Sequence, residues 1–333
     1  MKKRGLGALV VAALVLLGVL VAPTGAGASL TSATKIGAWS QYGNWTAFNQ
    51  GAGQMDVYRG YDSGFRYATW SAIPVGQRYR GPQNLPTVMN DYSFQIPPAQ
   101  LIAGQWDDRL RTFIASTPLN VVLTNHHVPE QEIEAGQFTF AQYRAAQLRL
   151  DRLVDQQNAL DGGTRKVSVI LMISTFTGFK GRNSDNYWPT VARDGDTVDL
   201  ISADVYNAPH ATGTTGVPLG YTDGVNWKTA AGLVRPVLSF AKAKGVDWAI
   251  SELGLLEDVN NPTRKAQEMR AVVDIARSGR IGTLVWRPAL WVSYWNSRGG
   301  RADWGLRFHN PPVPSETTNS NGYQAWRAIA QLA

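Results

Sequence analysis

The chain has 333 residues, no cysteine and a formal charge of +7. Its Lys and Arg are scattered, which excludes a nucleic-acid footprint, and the lack of Cys excludes a disulfide framework and thiolate metal sites. A chain of this length buries a core large enough to need no disulfides. Residues 1–28 carry Lys2, Lys3 and Arg4, an apolar run over 6–21 and then Ala26, Gly27 and Ala28. That is the pattern of a signal peptide, too short and Gly-broken for a membrane span, so the chain is expected to be secreted with no membrane insertion after its removal. The mature part, 333 − 28 = 305 residues with charge 7 − 3 = +4, shows no linker or repeat and is expected to form one domain.

In chain order, residues 35–40 (KIGAWS) predict a first strand ending near Trp39 and Gln41, and 55–61 (MDVYRGY) a second, with Arg59 and Asp62 at its exit. The Gly-, Pro- and Tyr-rich stretch 63–86 reads as a long loop. A third strand is expected over 90–96 and a helix over 103–116. The fourth strand, 120–123, breaks into Asn, two His, Pro and three Glu before Gly136. A helix follows over 138–160, with Thr139 as its N-cap and apolar residues at helical spacing. Strands are expected over 167–174, 197–205 and 246–251, and a last one over 281–286 (IGTLVW). A second long loop runs to Asn226, and helices are expected over 233–244 and 264–278. Eight strands alternating with helices predict a single-domain (β/α)8 TIM barrel over residues 29–333.

In such barrels the chemistry sits where strands meet the loops that follow them. Glu252 stands directly after the seventh strand and before a Gly, so its carboxylate points toward the mouth; the bland alternative is a turn glutamate paired with an Arg. Twelve Trp and twelve Tyr, many beside Gly, Asn and Asp, suggest stacking platforms for flat sugar faces, although any one of them could be a core residue. His126, His127 and Glu130 have metal-ligand chemistry, but adjacent residues on an extended strand face opposite ways. No Gly-x-Ser-x-Gly elbow marks a serine nucleophile. No metal or other cofactor is expected.

The runs VDLISADVYN, AGLVRPVLSFAKAKGVDWAISELG and IGTLVW resemble the last three barrel units of β-mannanase-type glycoside hydrolases (family 26 and relatives). HVPEQEIEAGQFTFAQYRAA is similar to their fourth unit. The resemblance covers most of the mature chain and is loose over its first third. It implies a secreted enzyme that hydrolyses O-glycosyl bonds of a β-linked polysaccharide or glycoconjugate, with Glu252 as nucleophile. Asp204 and Tyr206 would line the sugar site and Trp286 would stack beneath the sugar; apart from the resemblance, His127, Trp39 and Arg59, at or near predicted strand ends, are expected to complete the site. In the relatives an acid/base Glu directly follows the fourth-strand His, whereas here His127 is followed by Val128. Retaining hydrolysis needs two carboxyls about 5–5.5 Å apart, and valine supplies none. Glu130 could turn inward to fill the role, the protein could be a catalytically inactive carbohydrate-binding barrel, or His127 could donate the proton. The chain is expected to act as a monomer.

Overall fold

The computed structural model describes residues 34–40, 55–73, 89–117, 120–162, 167–175, 178–179, 183–189, 198, 200–207, 221–296, 298–299, 302–303 and 321–331. The expected signal peptide, Gln41 and most of the two long loops lie outside them. Eight strands close into one parallel barrel: β1 Lys35–Ser40, β2 Val57–Tyr61, β3 Met89–Phe94, β4 Val121–Asn125, β5 Val167–Ser174, β6 Leu200–Asn207, β7 Asp247–Leu255 and β8 Trp291–Asn296. Each pairs with its sequence neighbours, and β8 closes on β1 from Lys35↔Trp291 to Ser40↔Asn296.

The helices follow from local signals. α1 (Pro98–Ile102) and α2 (Asp107–Ala115) replace the single helix expected over 103–116, because Gly104, at φ 75°, breaks the run between them. After the short α3 (Glu130–Glu134), α4 (Phe140–Leu160) starts at a capping box: Thr139 Oγ1 accepts from Gln142 N, and Gln142 Oε1 accepts from Thr139 N. Its buried stripe of Tyr143, Ala146, Leu150, Leu153 and Val154 packs on the barrel wall. α5 (Asn183–Tyr187) precedes α6 (Ala230–Lys244), which Thr229 caps and left-handed Gly245 ends. α7 (Arg264–Ser278) and α8 (Asn321–Gln331) complete the described helices. None of the described helices is long and apolar enough to cross a membrane.

Alternation along the strands sorts side chains into two cores. Outward residues such as Leu123, Val169, Ile201, Trp248 and Ile250 join the helices in the larger one. Inward residues Val57, Met89, Val122, Ile170, Leu200, Ala249 and Trp291 form an apolar floor inside the barrel. Each fully buried aliphatic side chain contributes roughly 1.5–3 kcal/mol, so this floor can support a polar layer above it. That layer begins one inward step higher, at Arg59, Asp91, Thr124, Ser202, Ser251 and Ser293, all buried.

The eighth strand differs from the expectation. IGTLVW is not a barrel strand: Arg280–Ile281 and Leu284–Val285 form a two-residue antiparallel hairpin turning at Gly282, whose φ is 60°. The barrel position belongs to WVSYWN, where Val292 and Tyr294 face the helices and Trp291 joins the floor. The Gly-Thr pair suits a tight turn better than a ladder, whereas WVSYWN alternates with period two.

Candidate active site

The site is built around Glu252. Strict alternation on β7 from Ala249 through Ser251 would turn Glu252 outward. The register slips at this point: Ala203 pairs with Ile250 but Asp204 with Glu252, and on the other flank Val292 pairs with Ile250 but Tyr294 with Leu253. The extra residue is a β-bulge that re-aims the next side chain. Ser251 stays inside, hydrogen-bonded through its Oγ to Ser202 Oγ at 2.6 Å, and Glu252 also faces in.

Four groups then meet the Glu252 carboxylate or its neighbourhood. Tyr206 donates its hydroxyl to Oε2 at 2.6 Å, and Tyr61 donates to Oε1. The fully buried Arg59 guanidinium lies 3.5 Å from Oε1 and 3.4 Å from Asp91 Oδ1. It also covers the Tyr61 ring, with Cζ 4.2 Å from the centroid. Asp204 stands beside Glu252 on the adjacent strand, its Oδ1 buried without a hydrogen-bond partner among the described residues.

Among the described residues, Arg59 faces the buried carboxyls Asp91, Asp204 and Glu252, whose like charges disfavour one another. Burial, then the neighbouring Glu252 charge, push Asp204 well above the usual carboxylate range. Burial also raises Glu252, opposed by Arg59 and by the two tyrosine hydroxyls. Asp91 is raised by burial despite Arg59. Asp204 is thus the carboxyl pushed well up by burial and its neighbours, whereas Glu252 has three donors on its oxygens that oppose the rise.

Opposite this network lies the exit of β4. His126 and Val128 both have left-handed backbone, at φ 56° and 53°. For a β-branched residue such as Val128 this is a strained conformation, costing about 1–3 kcal/mol. The two reversals part the histidines. His126 turns to the wall, where its Nε2 lies 2.9 Å from Ile96 O and its ring packs edge-on against Phe138. His127 turns to the mouth, with its ring 5.0 Å from that of Tyr61. Burial, with Arg59 nearby, lowers the His127 pKa to about 3, so its imidazole is neutral, and its Nδ1 is buried without a partner among the described residues.

Glu130 is buried, with Oε1 engaged by the neighbouring strand, Oε2 without a hydrogen-bond partner among the described residues, and its charge acting on Asp204. β4 ends at Asn125 while β5 runs on to Ser174, which leaves two polar groups at the exposed edge of β5. Val128 N donates to Met172 O at 3.2 Å, and the Glu130 Oε1 accepts from Ser174 N at 2.6 Å. The carboxylate thus finishes the edge that β4 leaves open, an obligatory task for buried backbone groups. It is 1% exposed, and burial raises its pKa despite the backbone donors.

The sequence-predicted residues divide accordingly. Arg59, His127, Asp204, Tyr206 and Glu252 meet at the mouth, and Glu130 lies in the wall. Trp286 is at the opposite end, donating its indole N–H to Val246 O at 2.9 Å, just ahead of the first residue of β7. It cannot stack beneath a sugar at the mouth. The backbone of Trp39 pairs with Trp295 across β1 and β8, and its side chain lies outside the described residues. Sequence reasoning missed Tyr61, Asp91 and Trp295. Tyr61 stands two residues after Arg59, hence on the same strand face, and Trp295 is the last inward position of WVSYWN. Its ring lies 5.2 Å from that of Tyr61, nearly perpendicular at 86°. Among the described residues no group of three His, Cys, Asp or Glu could hold a metal ion.

A (β/α)8 barrel with a bulge-directed carboxylate at its mouth defines the class. The barrel is similar to the catalytic domain of a GH26 endo-β-1,4-mannanase from Bacillus sp. JAMB-750, at TM-score 0.56 and 12% identity over 91% of this chain and 87% of that one. It is also similar to GH26C from a Muricauda species, at TM-score 0.51 and 10% identity over 91% of this chain and 86% of the other. An exo-β-1,4-mannosidase, Op5Man5, from an Opitutaceae bacterium matches at TM-score 0.56 and 13% identity over 90% of this chain and 59% of its own. At these identities the likeness is one of fold alone, a (β/α)8 barrel. No family model and no curated protein matches the sequence.

Proposed function

We propose that this is a secreted glycoside hydrolase acting on a β-linked polysaccharide or glycoconjugate, with Glu252 attacking the anomeric carbon. The observation that carries the reading is the arrangement of Tyr61, Tyr206 and Arg59 on both Glu252 oxygens at the end of a bulged barrel strand. Such donors orient the carboxylate, and they stabilise it again when it leaves the sugar. Asp204, His127 and Trp295 contact the sugar in this reading: Asp204 through its carboxyl, neutral His127 through its Nδ1, and Trp295 through its ring face.

The test is incubation with soluble β-mannans, β-glucans and synthetic β-glycosides, with released sugar as the readout and Glu252→Gln as the control. A competing reading is a carbohydrate-binding barrel without turnover, favoured by the use of Glu130 in the wall. Binding of a glycan with no released sugar from any β-glycoside supports that reading instead.

A further inference from the structure

Building on Glu252 as nucleophile, we infer that Asp91 is a positioning residue for it, acting through Arg59: the Asp91 carboxylate shares the guanidinium with Glu252 and so sets how strongly that cation holds the nucleophile's charge. The geometry is a fork. Arg59 Nη1 donates to Gly60 O at 3.0 Å and to Asp91 O at 3.3 Å, and it lies 3.4 Å from Asp91 Oδ1. Nη2 points the other way, 3.2 Å from Met172 Sδ and 3.5 Å from Glu252 Oε1. The guanidinium is planar and rigid, so the two backbone acceptors on Nη1 also fix where Nη2 meets Glu252. The Arg59 and Asp91 side chains are both 0% exposed, and charges buried to that degree need each other.

A carboxylate held more strongly by a cation is a weaker base and a weaker nucleophile. Arg59 lowers the Glu252 pKa, and the Asp91 charge raises it. Burial raises Asp91 itself, opposed first by Arg59 and then by Ser251 and Trp291 beside it. Among the described residues, Tyr61 from β2 and Tyr206 from β6 donate to Glu252, and Asp204 stands next to it with the Glu130 charge acting on Asp204 in turn. His127, from the β4 exit, lies against the Tyr61 ring. β5 brings Met172 to Arg59 and β8 brings Trp295 to Tyr61, neither of them charged. When Glu252 becomes a glycosyl ester its charge is gone, and Asp91 remains as a counterion to Arg59.

The experiment follows, across pH, the labelling of Glu252 by 2,4-dinitrophenyl 2-deoxy-2-fluoro-β-mannoside and -β-glucoside and by their β-1,4-disaccharide counterparts. In this step a Glu252 oxygen bonds to the anomeric carbon as the bond to the aryl oxygen breaks, and dinitrophenolate leaves with the electron pair. It needs no proton donor, so its rate reports the Glu252 anion. Asp91→Asn leaves the backbone acceptors of Arg59 in place and removes the competing charge. The acid limb of the labelling rate is expected to move down by about one pH unit, and the plateau to fall about tenfold. Asp91→Glu keeps the charge and returns the limb to the wild-type pH. Asp91→Ser removes the charge with a smaller side chain and gives the same downward shift, which decides the matter if the Asn variant does not fold. A limb that stays in place or moves up in the Asn or Ser variant, even with a slower plateau, overturns the inference while leaving Glu252 as nucleophile. If none of the four glycosides labels Glu252 in the unaltered protein, the hydrolase reading falls, and the inference with it.

Discussion

On the side of the mouth formed by β2, β6 and β7, two tyrosines and an arginine converge on the Glu252 carboxylate, and a bulge spends one residue of register to aim it. On the β4–β5 side, the nearby Glu130 carboxylate instead closes a strand edge, and the backbone reaches that arrangement through two left-handed residues. One side surrounds its carboxylate with three donors, while the other puts a carboxylate oxygen on a backbone N–H. The contrast teaches that two carboxyls of one barrel can be set to different tasks by the strand edges around them.

Glu252→Gln gives the largest expected effect: turnover of the β-glycosides drops at least about a thousand-fold, with thermal stability and sugar affinity nearly retained. Near-normal turnover breaks the comparison at its first half. Arg59→Met comes next. It leaves Asp91 and Glu252 buried without their cation, which is expected to destabilise the fold by about 3–5 kcal/mol in urea unfolding. An unchanged midpoint with an unchanged slope contradicts the network.

Glu130→Ala sharpens the comparison from the other side. Losing the acceptor for Ser174 N–H costs about 1–3 kcal/mol of stability. An unchanged unfolding midpoint in that variant contradicts this role. A smaller effect is expected from Val128→Gly, which removes the penalty of a β-branched residue at φ 53° and raises stability by about 0.5–1 kcal/mol. A destabilised variant would show that packing of the valine outweighs its strain.

The pH dependence separates the two sides as well. Asp204 is raised in the folded protein, so between its ordinary value and its folded value the native state keeps a proton that the unfolded chain has lost. Its stabilising contribution is therefore full at low pH and disappears as pH rises toward the folded value. His127 runs the opposite way. Lowered to about 3, it stays neutral while the unfolded chain binds a proton, so stability is lost as pH falls from about 6.5 toward 3. Asp204→Asn should remove the first effect alone, making stability rise more steeply with pH by at most about 1.4 kcal/mol per unit. Identical pH curves for variant and wild type would assign the raised proton to another group.

Much of this architecture was legible along the chain. Local periodicity is a property of neighbouring residues, so the βα alternation, the exact span of β5, the first strand, the Thr139 cap and helix 264–278 could be read directly. The presence of Arg59, Asp204, Tyr206 and Glu252 near strand exits followed from the same reading. Orientation could not be read this way, because it depends on which backbone groups of adjacent strands meet. The β7 bulge appears only when β6 and β8 impose their registers on it, and it alone turns Glu252 inward. Glu130 looked free to act because the chain does not reveal that β5 outruns β4 and needs an acceptor for Ser174 N–H. IGTLVW and WVSYWN are both apolar and β-prone. Barrel closure against β1 selected the second, and so moved the mouth-facing indole from Trp286 to Trp295.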